Sequence, residues 1–196
     1  MRKLVVIEFV TLDGVMQGLG SPDEDRDGGF EHGGWSAPYV DEVQAAAAVE
    51  GLKSTTAYLF GRRTYEHLAA FWPGQPDDNP MAAHLNATPK YVASRTPSSL
   101  DWANAQVLDG ELGPAVQALK AQGDGTLAVL GSGVLVQELV ADDLLDGYRL
   151  FVHPLLLGTG KRLFGELDRP QRLRLVEVTP TTTGVLMLGY EVERVV

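Results

Sequence analysis

Residues 126–164 read TLAVLGSGVLVQELVADDLLDGYRLFVHPLLLGTGKRLF, and this stretch decides the fold. It opens on an uncharged apolar run, Leu127, Ala128, Val129 and Leu130. Gly131, Ser132 and Gly133 follow, then Val134, Leu135, Leu139 and Val140 at helical spacing. A second apolar run fills residues 148–152, after Gly147. The order is strand, tight glycine turn, helix, strand. A short apolar run without polar alternation is the pattern of a strand buried on both faces, as in a parallel sheet. Glycines at a strand-to-helix junction let backbone approach a ligand closely and leave free N–H groups at the helix start, a natural seat for phosphate. The same glycines also serve where a turn only has to make room for packing.

Outward from this stretch the pattern repeats. A strand is expected over 3–10, ended by the turn Thr11-Leu12-Asp13-Gly14, and a Gly/Asp/Glu-rich loop over 16–34. A helix over 39–52, a strand over 57–60 and a helix running to Ala70 come next. After an Asp/Pro-rich loop to Pro80 there is a short helix over 81–86 and a strand over 90–93. A short strand over 105–108 and a helix over 113–122 lead into the opening stretch. Residues 172–179 and 184–195 read as two antiparallel strands joined by Pro180-Thr181-Thr182-Thr183. Strands alternating with helices predict one α/β domain over 1–196: a three-layer sandwich, its mostly parallel sheet covered by helices on both faces and closed by a C-terminal antiparallel hairpin. In such sheets the ligand lies beyond the carboxyl ends of the strands.

Composition narrows the function. The chain carries 16 basic and 26 acidic residues, a formal charge of −10, which disfavours nucleic acid and anionic membrane as partners. An anionic ligand then has to be held by a local group of arginines or amides. There is no cysteine, so disulfides, thiolate nucleophiles and metal–thiolate sites are excluded. The four histidines have no ligand spacing, and no metal site is expected. No stretch approaches the ~20 apolar residues of a membrane span, and a cytoplasmic location is expected.

Three junctions carry candidate chemistry. Gly61, Arg62, Arg63 and Thr64 place two guanidiniums and a hydroxyl at a helix start. Cations there oppose the helix dipole, so their use on an anion is the functional reading, and a solvated turn the bland one. Ser94 and Arg95, directly after a strand, suit a phosphate monoester, which Arg grips in bidentate fashion. Gly131, Ser132 and Gly133 add uncharged amides. The GxGxxG fingerprint is absent, which argues against a standard Rossmann domain. Glu8 is the odd residue of the first strand. Buried, it would have a raised pKa and could donate or shuttle a proton; at a sheet edge or beside an arginine it would be structural. Asp13 is the other candidate acid, unless it only caps its turn. Trp35, Leu68, Phe71, Trp72 and Val152 border the expected cleft and could face a planar substrate. Lys161 and Arg162 read most simply as a solvated turn.

These markers together resemble the dihydrofolate reductase-like superfamily, in particular the branch of the riboflavin-biosynthesis reductase domain and its stand-alone homologues. The resemblance runs nearly end to end, through residues 11–14, 60–66, 92–96, 131–133 and 154–164. It implies NADPH as cofactor, with Arg62, Arg63 and Thr64 on its phosphates, Ser94 and Arg95 on the adenosine 2′-phosphate, and Gly131, Ser132, Gly133, Val134 and Leu135 along the pyrophosphate. Val15 and Met16 would close over the nicotinamide. A cis Gly131–Ser132 peptide and a homodimer touching at the final hairpin are further implications. Folate reductases place an acid inside the helix after the first loop, where this chain has Gln44 and alanines, and a threonine where it has Val152. Dihydrofolate is therefore not the expected substrate. The reading is a reductase passing hydride to a small planar heterocycle or a related carbonyl or imine compound. The alternative is a binding module on the same fold that does no chemistry, since no proton donor is placed.

Overall fold

The computed structural model describes residues 1–96 and 99–194. Val195, the expected end of the last strand, lies outside them. The strands are β1 (Lys3–Thr11), β2 (Thr55–Gly61), β3 (Lys90–Ala93), β4 (Ala105–Val107), β5 (Thr126–Leu130), β6 (Gly147–His153), β7 (Arg172–Pro180) and β8 (Leu186–Glu193). The helices are α1 (Glu42–Leu52), α2 (Arg62–Phe71), α3 (Pro80–Ala87), α4 (Leu112–Ala121) and α5 (Gly133–Ala141). All eight strands join one sheet in the order β4-β3-β2-β5-β1-β6-β8-β7. Strands β1 to β6 pair in parallel, and β8 runs antiparallel to both β6 and β7. The C-terminal hairpin thus attaches through its second strand. The expected α/β sandwich with its antiparallel hairpin is the fold observed.

Strand alternation assigns the layers. Leu4, Val6 and Val10 of β1 pack with Leu127 and Val129 against Val116 and Leu119 of α4 and Leu135, Val136 and Leu139 of α5. The opposite face packs Tyr58, Phe60, Val92 and Ala128 against Tyr65 of α2 and Leu85 of α3. Lys120 is buried at the end of α4, 2.5 Å from Asp146, whose Oδ2 also accepts the Leu4 N–H at 2.8 Å. That pair joins α4 to β1 and to the start of β6. A buried charge without its partner is costly, so the two hold one another in place.

Two of the boundaries that differ from expectation are instructive. The helix expected over 39–52 starts at Glu42, because Ala37–Tyr39, with Pro38 inside it, forms a separate 3-10 turn and Asp41 is extended at φ −149. Asp41 accepts the N–H groups of Val43 and Gln44, and its other oxygen accepts the Thr182 N–H at 2.9 Å. The last strand starts at Leu186 rather than Gly184, which turns at φ +85. Helix α1 contains no buried residue: Val40 before it is 81 % exposed, and Ala47, Ala48, Gly51 and Leu52 border an open cleft. Val43 and Val49 are exposed, and Ala47 packs at the edge of the Phe151, Val185 and Met187 cluster.

Leu139 of α5 is fully buried, whereas Val134, five residues earlier and on another face of the helix, is 70 % exposed. Leu139→Ala is expected to cost about 2–5 kcal/mol of stability in urea unfolding, and Val134→Ala to stay within about 0.5 kcal/mol. Equal losses for the two would show that α5 packs on another face.

Candidate functional site

The carboxyl ends of β3, β2, β5 and β1 open on one cleft of about 2260 Å³. A single small molecule occupies a pocket of about 300–1,000 Å³, so the cleft has room for a long ligand and a second one beside it. Gly61, Arg62, Arg63, Thr64, Ser94 and Arg95 all line it. So do Gly131, Ser132, Gly133, Val134, Leu135 and Met16.

The turn after β5 is tightly built. Gly131 and Ser132 are both left-handed, at φ 58 and φ 66, and the peptide between them is trans, since no cis bond occurs among the described residues. This corrects the expected cis Gly131–Ser132 bond: two successive left-handed residues make the turn instead. A Cβ on Gly131 would lie 3.0 Å from the Thr64 methyl, and one on Gly133 would lie 2.8 Å from the Met16 sulfur. Ser132 Oγ accepts the Gly61 N–H at 2.8 Å. The ends of β2 and β5 and the loop after β1 therefore meet at backbone distance.

Each cation at the junctions faces an acid of the same chain. Arg62 lies 2.9 Å from Glu66, Arg63 3.1 Å from Asp27, and Arg95, 93 % exposed, 3.9 Å from Glu138. Asp27 is also 2.9 Å from Lys161, which bonds Asp25 at 2.8 Å. The Lys161 ammonium and then the Arg63 guanidinium hold the Asp27 carboxyl below its usual range. Gln17, which sequence reading passes over, organises this loop. Its Nε2 donates to the carbonyls of Asp25 (3.2 Å) and Asp27 (2.9 Å), and its Oε1 accepts the Lys161 N–H at 2.9 Å. Gln17 is buried, and no sequence signal separates it from any other loop glutamine.

The two candidate acids sit in opposite circumstances. Asp13 is saturated: it accepts from the Thr11 hydroxyl at 2.5 Å, the Gly158 N–H at 2.8 Å and the Leu157 N–H at 3.3 Å, and Arg162 lies 3.6 Å away. The Thr11 hydroxyl is the main cause that lowers its pKa. Glu8 stands on the central strand β1, not at a sheet edge, and no arginine pairs with it among the described residues. It is 5 % exposed; Oε1 accepts the Phe9 N–H at 3.0 Å, and buried Oε2 has no partner. Burial pushes its pKa up to about 8, against the pull of the Phe9 N–H.

Of the aromatic and apolar candidates, Leu68 and Trp72 border the cleft. Phe71 is exposed and stands edge-on to Trp72 at 5.2 Å. Trp35 is buried, donating to the Gln17 carbonyl at 2.7 Å and packing edge-on to His153 at 5.0 Å. Val152 packs on the α4–α5 side, in register with Val10, and Val15 is buried with Phe30 and Trp35. The cleft floor on the α1 side is instead Phe9 stacked on Phe151, with ring centroids 4.3 Å apart. Beside it His153 is buried, its Nδ1 3.0 Å from the Phe151 carbonyl, and burial lowers its pKa. Strand parity alone would have placed Phe9 and Phe151 together, had the β1–β6 register been known. Among the described residues no cluster of His, Asp or Glu could hold a metal ion, and no helix is long and apolar enough to cross a membrane.

Residues 2–187 match the family model of the RibD C-terminal domain. The chain is 24% identical over 196 residues to the uncharacterized protein YyaP of Bacillus subtilis (strain 168), covering 96% of this chain and 94% of that one. In fold it is similar to a putative riboflavin biosynthesis protein from Shewanella sp. PV-4, with a TM-score of 0.71 at 20% identity over 98% of this chain and 99% of that one. A dihydrofolate reductase from Enterococcus faecalis, solved with NADP(H), gives a TM-score of 0.63 at 15% identity over 98% and 97%.

Gln17→Ala is expected to unfasten the loop over 17–27. Losing buried hydrogen bonds worth about 1–3 kcal/mol should raise trypsin cleavage after Arg26 about tenfold under native conditions. An unchanged cleavage rate would mean that Gln17 does not hold the loop.

Proposed function

The chain belongs to the family of RibD C-terminal domains, and from that premise we propose that it is an NADPH-dependent reductase of a small planar heterocycle or a related carbonyl or imine compound. One observation carries the reading. The three cation- or glycine-bearing junctions lie at the ends of β3, β2 and β5, which are neighbours in the sheet and open on one cleft. A single extended dinucleotide spans such a row.

The donor set fits this ligand. Ser94 and Arg95 would take the 2′-phosphate, Arg62, Arg63 and Thr64 the other phosphate oxygens, and residues 131–135 the pyrophosphate. At Gly131 and Gly133 a side chain would crowd Thr64 and Met16, so only backbone is available to a ligand there. Acids on Arg62, Arg63 and Arg95 stand where phosphate charge would be drawn. Met16 would cover the far end, at β1, with Val15 buried behind it rather than on the ligand. When bound, the cofactor supplies the hydride; the chain supplies orientation and a water-poor site. Phe9, Phe151, Leu68 and Trp72 give a planar substrate an apolar bed. Trp35 supports that bed through His153. A second copy of the chain would pair along β7, an edge strand on which Leu175, Val176 and Val178 stand exposed, since an unprotected edge invites pairing.

Fluorescence titration is expected to show NADPH binding more tightly than NADH. Arg95→Ala should remove most of that preference, a loss of about 1.5–3 kcal/mol for a hydrogen bond between charged groups. A preference that survives the substitution sinks the 2′-phosphate assignment.

A further inference from the structure

One buried group in the cleft is unused by this reading. Glu8 follows Ile7, the last β1 residue paired with β5, through Leu130. Beyond that point β1 keeps only β6 beside it, with Glu8 in register with Leu150. The Glu8 carboxyl fills the gap: Oε1 takes the Phe9 N–H, and the Gly131 amide acts on the same carboxyl. Oε2 is buried in the cleft wall and unpartnered. A carboxyl that served packing alone would cost less as an apolar side chain, and buried polar atoms left without a partner are uncommon. By parity Glu8 shares the face of Val6 and Val10, the face of α5 and the 131–133 turn, not that of Phe9 and Phe151. It therefore looks along the cofactor track and away from the proposed substrate bed. Continuing the row β3, β2, β5 by one strand brings the ligand's far end to Glu8.

We infer that Glu8 matches the charge of the nicotinamide ring, holding a proton while the ring is reduced and neutral and standing as a carboxylate when the ring is oxidised and cationic. The inference rests on the cofactor reading above. The surroundings leave the choice to the ring. Glu24, from the loop after β1, is the charged group that acts on Glu8, and it favours the proton. Asp25 and Asp27 on that loop are paired with Lys161, and Asp13 lies by Arg162. Strand β5, the 131–133 turn and the first turn of α5 carry no titratable side chain. Burial already sets the carboxyl near the point where a neighbouring positive charge decides its state, at about 8.

Linkage gives the test. A cationic ring lowers Glu8's proton affinity by some factor, about tenfold where it brings the pKa down by one, and deprotonation must tighten NADP⁺ binding by that same factor. NADP⁺ affinity is then weakest at about pH 6, rises with pH and levels off above about pH 8, the free-state value. NADPH carries the same phosphates with an uncharged ring, so the ratio of the two dissociation constants isolates the ring. Wild type should show that ratio changing about tenfold between about pH 6 and about pH 9, and near neutral pH NADP⁺ binding should release more proton into weakly buffered solution than NADPH binding, the 2′-phosphate contributing alike to both. Glu8→Gln, shaped like the protonated acid, should bind both cofactors with a ratio independent of pH and with equal proton release. A flat ratio in wild type, or a release difference that persists in Glu8→Gln, overturns the inference while leaving the cofactor reading intact. Failure of wild type to bind either nucleotide overturns the cofactor reading and this inference with it. The excess of proton release with NADP⁺ over NADPH in wild type is decisive even where Glu8→Gln does not fold.

Discussion

The site depends on where β5 stops. A parallel strand must pair its N–H and C=O groups on both sides, and β1 does so with β5 only as far as Ile7. From there β5 leaves through two left-handed residues, Gly131 and Ser132, while β6 stays with β1 to Thr11. The divergence opens a slot between the two central strands. It exposes the Phe9 N–H, which Glu8 covers with its own side chain, and it brings the amides of the 131–133 turn to the same place. Cleft, glycine turn and buried acid are consequences of one early strand end.

Charge is arranged with similar economy. The protein is acidic overall, yet the cleft gathers Arg62, Arg63, Arg95 and Lys161. These cations are matched by Glu66, Asp27, Glu138 and Asp25. All of these pairs are substantially exposed, so each contributes little to stability and yields readily to a ligand that offers more charge or better geometry. An anionic ligand would exchange partners with the loop over 17–27 as well as fill a hole, because Asp27 belongs to both.

Much of this was legible in the sequence. The uncharged run at 127–130 reads as a strand buried on both faces and the run at 148–152 as a second strand, though Arg149 within it is exposed, and the junctions at Arg62, Arg95 and Gly131 could be read as strand ends. What escaped reading was set by partners distant in the chain. Helix α1 begins late because Asp41 is bound to Thr182, and Gly184 belongs to the turn that receives it. The hairpin joins the sheet by β8 because β6 offers it an antiparallel edge. Glu8 read as easily as an edge or ion-paired residue, since strand order, which buries it at the centre, is not written locally. Trp35 and Val152 drew attention as large or well-placed side chains, but register turns Val152 to the α5 side and the Gln17 carbonyl claims the Trp35 ring.

Helix α1, tied down at its Asp41 end, borders the cleft with Ala47, Ala48, Gly51 and Leu52, and with Glu50 and Lys53 towards its far end. The methyl groups exclude water but offer a guest no hydrogen bond, so that part of the ceiling sets thickness alone. The floor of stacked phenyl rings is equally mute. On the proposed reading, a chamber built this way would admit molecules by flatness and size and leave chemical discrimination to its polar edge, where the loop over 17–27 and the strand ends meet.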